Sequence, residues 1–352
     1  METGDSSRRL KPNTLYRRFV QSLPYAITAV LLLAAVASWG SQFFGLWSPV
    51  FTRMLDGLSG FAAVFLGIFI EAAPFLLLGT LASGLVEVFI SREDLARWIP
   101  RRALGGALAG VLMGLFFPVC ECGVVPFARR MLHKGLPLPA AVALLLAAPV
   151  VNPIVIASTL AAFGPGLVFW GRLGFSLLVA VLVGTLFGLA EPRGVLLPGV
   201  LAEPSAMPAP TLDGPKPPFG ERMRRMLVIA ADEFFEMGRY LVVGSLLAAL
   251  LQTFIPQSSL LGVGQGPLLS VVVMILLAVL LSVCSTVDAF IALAFASTFS
   301  TGSILAFLVY GPMVDIKSTL MFLRVFNKRS VVYLVLLPML LVILIGFVVN
   351  LL

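Results

Sequence analysis

The sequence predicts an all-α polytopic membrane protein made of two inverted-topology repeats, with about seven spanning helices and two re-entrant helical hairpins. Three observations carry this reading. The chain holds too little polar sequence for a water-soluble domain, its apolar runs are long enough to cross a bilayer, and its two halves repeat each other at a fixed spacing.

Of 352 residues, 59% are hydrophobic and 12% charged, against about 25% charged in an ordinary soluble domain. The mean hydropathy is +1.05. A net charge of +7 could suggest nucleic-acid binding, but the basic residues stand in short clusters between apolar runs rather than on one face. That pattern is a topology signal and implies no nucleic-acid partner. Three cysteines and one histidine exclude a disulfide framework and a histidine-rich metal cage. Nothing in the composition calls for a bound cofactor.

An apolar run of about 18 residues or more crosses a hydrocarbon layer about 30 Å thick at 1.5 Å per residue. Seven runs qualify: Leu23 to Gly45, Leu58 to Ile90, Pro139 to Phe163, Gly166 to Ala190, Met226 to Phe254, Ser303 to Leu323 and Val331 to Leu352. Two further stretches are broken in the middle, Ala103 to Met131 at Pro118 through Pro126, and Pro267 to Phe299 at Ser282 through Asp288. Their arms are too short to span. Ahead of the first run, Arg8 to Arg18 form a basic leader, and Ala35-Val36-Ala37 looks like a signal-peptidase site. The leader is long for a signal n-region, so an uncleaved anchor is expected.

Lysine and arginine in short loops are retained on the cytoplasmic side. With the N-terminus inside and both broken stretches returning to the side they enter, the inside loops hold all but four of the 24 basic residues. Arg53 lies outside, and Arg172, Arg239 and Lys317 fall within spans. If each broken stretch crossed once, the clusters Arg129 to Lys134 and Arg193 to Arg225 would move outside. The hairpin topology is therefore expected. Between Glu191 and Gly220, eight prolines in thirty residues mark a disordered cytoplasmic strap. The expected organisation is a leader and anchor over 1–57, a first transmembrane repeat over 58–190, the Pro-rich linker over 191–220 and a second repeat over 221–352.

The repeat shows in three anchors. Phe69-Ile70-Glu71 with Gly79 matches Phe234-Phe235-Glu236 with Gly244 at an offset of 165, and Val119-Cys120 matches Val283-Cys284 at 164. Ala148 to Asn152 matches Gly311 to Asp315 at 163. In the topology above, the second copy runs in the reverse sense, and inverted repeats with discontinuous helices are the architecture of secondary transporters. Unwound backbone in hydrocarbon persists only where protein, water or substrate supplies its partners. The hairpin tips and Pro-interrupted helices are thus the expected substrate path, with Cys120, Glu121, Cys122, Asn152, Cys284, Ser285, Asp288 and Asp315 as its candidates.

All three cysteines stand at the tips. As a tentative metal or metalloid set, Cys120, Cys122 and Cys284 would suit a soft species such as trivalent arsenic or Cu(I), with Glu121 or Asp288 taking a proton as a thiol ionises. The bland alternative is that cysteine is a small apolar residue common in membrane interiors, and C-x-C without histidine is no zinc signature. For Asn152 a kink with a locally satisfied side chain competes with substrate contact. Asp315 is costly in a span unless Lys317 pairs with it. Glu71 and Glu236 occupy equivalent places in the first span of each repeat and are the expected coupling acids. Arg239 is placed to neutralise Glu236, and Asp232 and Glu233 are read as interfacial. His133 reads as an interface residue, and Gly105, Gly106, Gly110 and Gly114 as small-residue helix packing.

The run PVCECGVVPFARRMLHKGLPLPAAVALLLAAPVVNPIVIAST, with the later AFLVYGPMVDIKSTLMF, resembles the YraQ-like predicted bacterial permeases, related to the ArsP-type organoarsenical efflux permeases. The resemblance covers roughly Leu58 to the C-terminus. It implies a multi-pass permease of a bacterial plasma membrane rather than an enzyme, with the lipid bilayer and a small-molecule or ion substrate as partners, and it leaves a homo-oligomer open. Two other classes compete: a membrane-embedded thiol oxidoreductase using Cys120 and Cys122, and a channel, for which no ring of like charges or filter-like glycine run is present. A topology test follows. Single cysteines at Lys134 and in the strap should resist an impermeant thiol reagent added outside, whereas one in the Ile255 to Gly266 loop should react; external labelling at Lys134 would overturn the hairpin topology.

Overall fold

A computed structural model of the chain describes residues 57–91, 99–100, 102–116, 120–198, 218–254 and 266–352, with Leu95 and Val200 between them. The N-terminal anchor, most of the Pro-rich strap, the 255–265 loop, and Pro118 and Val119 of the first tip lie outside the described residues. All twelve helices introduced here belong to one of two sets of six. The first set is α1 (Gly57–Phe89), α2 (Ala103–Phe116), α3 (Glu121–His133), α4 (Leu138–Val151), α5 (Pro153–Phe163) and α6 (Leu167–Gly188). The second is α7 (Phe219–Phe254), α8 (Leu269–Leu281), α9 (Asp288–Phe295), α10 (Thr301–Met313), α11 (Ile316–Phe322) and α12 (Lys328–Leu351). Each set reads long span, two-helix hairpin, broken span, long span.

Six of the described helices, counting α4 with α5 and α10 with α11 as one each, are long and apolar enough to cross a membrane. They coincide with the last six of the seven apolar runs. The broken spans are the innermost, with 78% of the most apolar window buried in each, against 11% for α1 and 28% for α12. Irregular backbone thus sits where protein can satisfy it, and the unbroken helices face outward with their leucines exposed.

Proline sets the breaks. Pro153 forces Asn152 into extended backbone (φ −72°, ψ 157°), which ends α4 and starts α5. In the second set Pro312 lies inside α10, and Val314 and Asp315 are extended before α11 begins. The first hairpin turns more sharply than expected. Pro126 does not belong to the break: it lies inside α3, which begins at Glu121. Pro126 is the sixth residue of α3 and removes one backbone hydrogen bond there without ending the helix. The second tip uses Ser282 in the left-handed region (φ 45°, ψ 41°), the one non-glycine residue with positive φ among those described.

The two ends of the bundle show that the repeats are inverted. At one end the Lys134 ammonium donates to the carbonyls of Glu87 and Ile90, Arg222 donates to Val88, and Arg324 bonds Glu236. The end of α3 therefore meets the end of α1, the start of α7 and the end of α11. At the other end, Asn350 accepts from the Gly302 amide and donates to the Pro267 carbonyl, while Ser303 bonds Ser270. The start of α8 and the start of α10 thus meet the end of α12. The α2–α3 hairpin opens at the first end and the α8–α9 hairpin at the second. Packing across the pair is reciprocal, α3 on α11 and α9 on α5, with α4 on α10 and α6 on α12.

The strap is anchored at its start rather than disordered from Glu191. Pro192–Val195 form one helical turn, Leu197 donates to the Val325 carbonyl, and the Asn327 amide donates to Val195.

Close helix approach rests on missing side chains. A Cβ added to Gly110 would lie 2.1 Å from the Ala140 carbonyl oxygen, so α2 and α4 touch backbone to backbone. Gly79 makes the same kind of contact with Gly123 of α3, and Gly302 with Gly346. Gly110→Val should lower the unfolding temperature in detergent, by overpacking worth about 1–3 kcal/mol. Gly67→Ala, in open space, should hold or slightly raise it.

Candidate functional site

The two hairpin tips meet. Cys120 is the N-cap of α3 and its carbonyl accepts from the Gly123 and Val124 amides; the Cys284 carbonyl accepts from Val287 and Asp288 in the same way. The repeat register therefore survives at the level of individual peptide groups. The Cys120 and Cys284 sulfurs and a Glu121 carboxylate oxygen all lie within 4.8 Å of one another, and all three residues are buried. Cys122 is buried beside Cys120 but outside that group of three, so the third donor is Glu121 rather than the expected Cys122.

Lys317 stands at the middle of the same centre, 2% exposed. Its ammonium donates to the Ser282 carbonyl at 2.8 Å and lies 3.3 Å from an Asp315 carboxylate oxygen and 3.6 Å from one of Glu121. Asp315 also caps α11. One of its oxygens accepts from the Ser318 amide at 2.7 Å, and the Ser318 hydroxyl accepts from the Asp315 amide. The remaining Asp315 oxygen, one Glu121 oxygen and the Ser285 hydroxyl are buried without a hydrogen bond among the described residues. Two carboxylates, one ammonium and two thiols thus converge where both hairpins end, with Ser285 next to Cys284 in the chain.

The other candidates are held elsewhere. Asn152 is satisfied within its own break, accepting from the Val155 amide and donating to the Ala148 carbonyl. Both Asp288 oxygens are engaged by Arg172 of α6, at 2.7 and 3.0 Å, and Arg172 also reaches Thr159 of α5. Glu71 is half-buried and within electrostatic reach of Glu121 and Cys284. Glu236 is not at the tips. It bridges Arg129 at 2.9 Å and Arg324 at 2.8 Å at the basic end, and Arg239 is not its partner. Asp232 is exposed there, whereas Glu233 is buried and paired with Arg130. His133 closes the last turn of α3 at that same end.

The central role of Lys317 and the Arg172 to Asp288 pair were absent from the sequence reading. The signal was available. A lysine and an arginine inside apolar runs must each find an acid, and few acids share their depth.

A bundle of inverted repeats whose broken helices converge on one buried polar centre defines a polytopic membrane permease rather than a soluble binding protein. The chain belongs to the family described as "Predicted permease" (ArsP_1), which it matches over residues 57–351. It is 44% identical over 279 residues to "UPF0718 protein YcgR" of Bacillus subtilis (strain 168), covering 78% of this chain and 91% of that protein. It is 36% identical over 283 residues to a "Putative two-component membrane permease complex subunit" of Streptococcus mutans, covering 80% and 92%. No solved structure matches.

The Arg172 to Asp288 pair makes a stability prediction. Arg172→Gln leaves a buried carboxylate without its partner and should cost about 3–5 kcal/mol, most of which Arg172→Gln with Asp288→Asn should restore. Equal unfolding temperatures for the single and double variants would refute the pairing.

Proposed function

We propose that this permease is a secondary transporter that exports a small thiophilic solute, a trivalent organoarsenical or a soft metal ion, through the tip centre. The observation that supports this is the convergence of Cys120, Cys284 and a Glu121 oxygen, one thiol from each repeat, within 4.8 Å. Soft thiolate donors select soft acceptors over the hard cations that are far more abundant. Each thiol that binds gives up its proton, to the hydroxide that an arsenical loses as water or, for a metal ion, to the nearby Glu121 and Glu71 carboxylates. Glu71 stands within reach to pass that charge on, as the coupling acid of the cycle. Glu236 carries no such role in this reading, because two arginines already hold it. A donor set shared between the repeats also gives alternating access its physical basis: rocking one repeat against the other brings the two thiols together or parts them. The Streptococcus mutans relative, named as a subunit of a two-component membrane permease complex, supports a second component beside this chain.

The test is flux into inside-out vesicles loaded with no solute, using a trivalent methylarsenical and Cu(I) as probes. Uptake should saturate with concentration, which a channel does not predict. Cys120→Ser and Cys284→Ser should each lower it by about tenfold or more, the equivalent of ~1.4 kcal/mol, while Cys122→Ser should retain most of it. Wild-type uptake by both tip variants would sink the reading, and turnover of a small dithiol by the purified protein would favour an oxidoreductase instead.

A further inference from the structure

The transport centre already contains a cation. The Lys317 ammonium is surrounded by oxygens from three broken elements: the Ser282 carbonyl of the second tip at 2.8 Å, Asp315 of the interrupted span at 3.3 Å, and Glu121 of the first tip at 3.6 Å. Ser282 offers that carbonyl because its left-handed backbone ends α8 and turns the chain out of the helix. A carbonyl from unwound backbone together with carboxylate oxygens is the donor set that hard alkali and alkaline-earth ions take, and discontinuous helices supply it to coupling ions in other transporters. Glu121 keeps one further buried oxygen without a hydrogen bond, and the Asp315 oxygen that faces the ammonium has no other partner among the described residues, so the centre has more acceptor capacity than the ammonium uses.

The lysine is also fixed in place. A Cβ added to Gly244 of α7 would lie 2.9 Å from the Lys317 Cα, so α7 presses on the backbone that carries the side chain. The short helix beneath it is closed by the capping box of Asp315 and Ser318. Lys317 therefore reaches the centre from a rigid base.

We infer that the Lys317 ammonium occupies a built-in alkali-cation site formed by Ser282, Asp315 and Glu121, so that this permease carries a tethered counter-cation in place of a bound sodium ion. The native protein needs no alkali ion at its centre, and a chain without the ammonium binds one. This deepens the transport reading and rests on it for its meaning in the cycle, whereas the ion site itself is measured without transport.

The experiment uses the full-length protein purified in detergent, unfolded by heat in sodium, potassium or choline chloride at equal ionic strength. Wild-type protein should unfold at one temperature in all three salts. K317A should be folded in sodium, unfold earlier in choline, and gain stability saturably as sodium replaces choline. K317A/E121Q, which removes the ammonium and one carboxylate together, should lose that sodium dependence and fold in choline. The inference is overturned if K317A unfolds at the same temperature in sodium and choline, if it cannot be recovered folded even in sodium, or if wild-type protein shows the same sodium gain. In vesicles, wild-type transport of the arsenical should be equal in sodium and choline; no arsenical transport in either would sink the substrate reading and leave the ion site standing.

Discussion

Two hairpins that end halfway through the bundle leave peptide groups and charges where no lipid can satisfy them, and each is completed by the other. This mutual completion is the constraint from which the rest of the arrangement follows. The Ser282 carbonyl takes the Lys317 ammonium, Glu121 from the opposite hairpin shares that ammonium, and Asp315 closes both the charge group and the start of α11. The broken spans must therefore be the innermost helices, and the unbroken ones are left to face the lipid.

The symmetry of the backbone is not matched by symmetry of charge. One end of the bundle is held by ion pairs among Arg129, Arg130, Lys134, Glu87, Glu233, Glu236 and Arg324. At the other end the described contacts are neutral, from Asn350 and three serines. The same asymmetry appears at the centre, where Glu121 faces Ser285 across the repeat register and a lysine stands in one repeat only. Repeats that share a fold have diverged at the residues that carry charge.

Much of this was legible beforehand, for identifiable reasons. Span positions follow from run length, the breaks from Pro153 and Pro312, and the meeting of Cys120 with Cys284 from their shared register, whereas Pro149 lies within α4 and breaks nothing. What failed was the assignment of partners. Glu236 looked equivalent to Glu71 and neighbour to Arg239, yet inversion sends equivalent positions toward opposite ends, and Glu236 meets Arg129 and Arg324 instead. Asp288 looked free at a tip, yet Arg172, 116 residues away in sequence, takes both its oxygens. Local spacing indicates depth in the membrane; it does not indicate which helix stands alongside. Pro126 shows the converse limit, since a proline reads as a break even where the helix continues through it.

The contact of Gly110 with Ala140 has a mechanical meaning. Where backbones touch without side chains between them, nothing can repack, so a small slide becomes a collision. Gly114 against Ala148, and Gly184 against Pro139 and Ala143, make joints of the same kind. Together they join α2, α4 and α6 by direct backbone contact. The arginines and lysines at the basic end sit on long flexible stems that tolerate an ångström or more of displacement. Backbone joints of the same kind nevertheless stand on the side of α3, α7 and α11, where Gly79 of α1 meets Gly123 and Gly244 of α7 meets Lys317, so close approach leaves little room to slide on either flank.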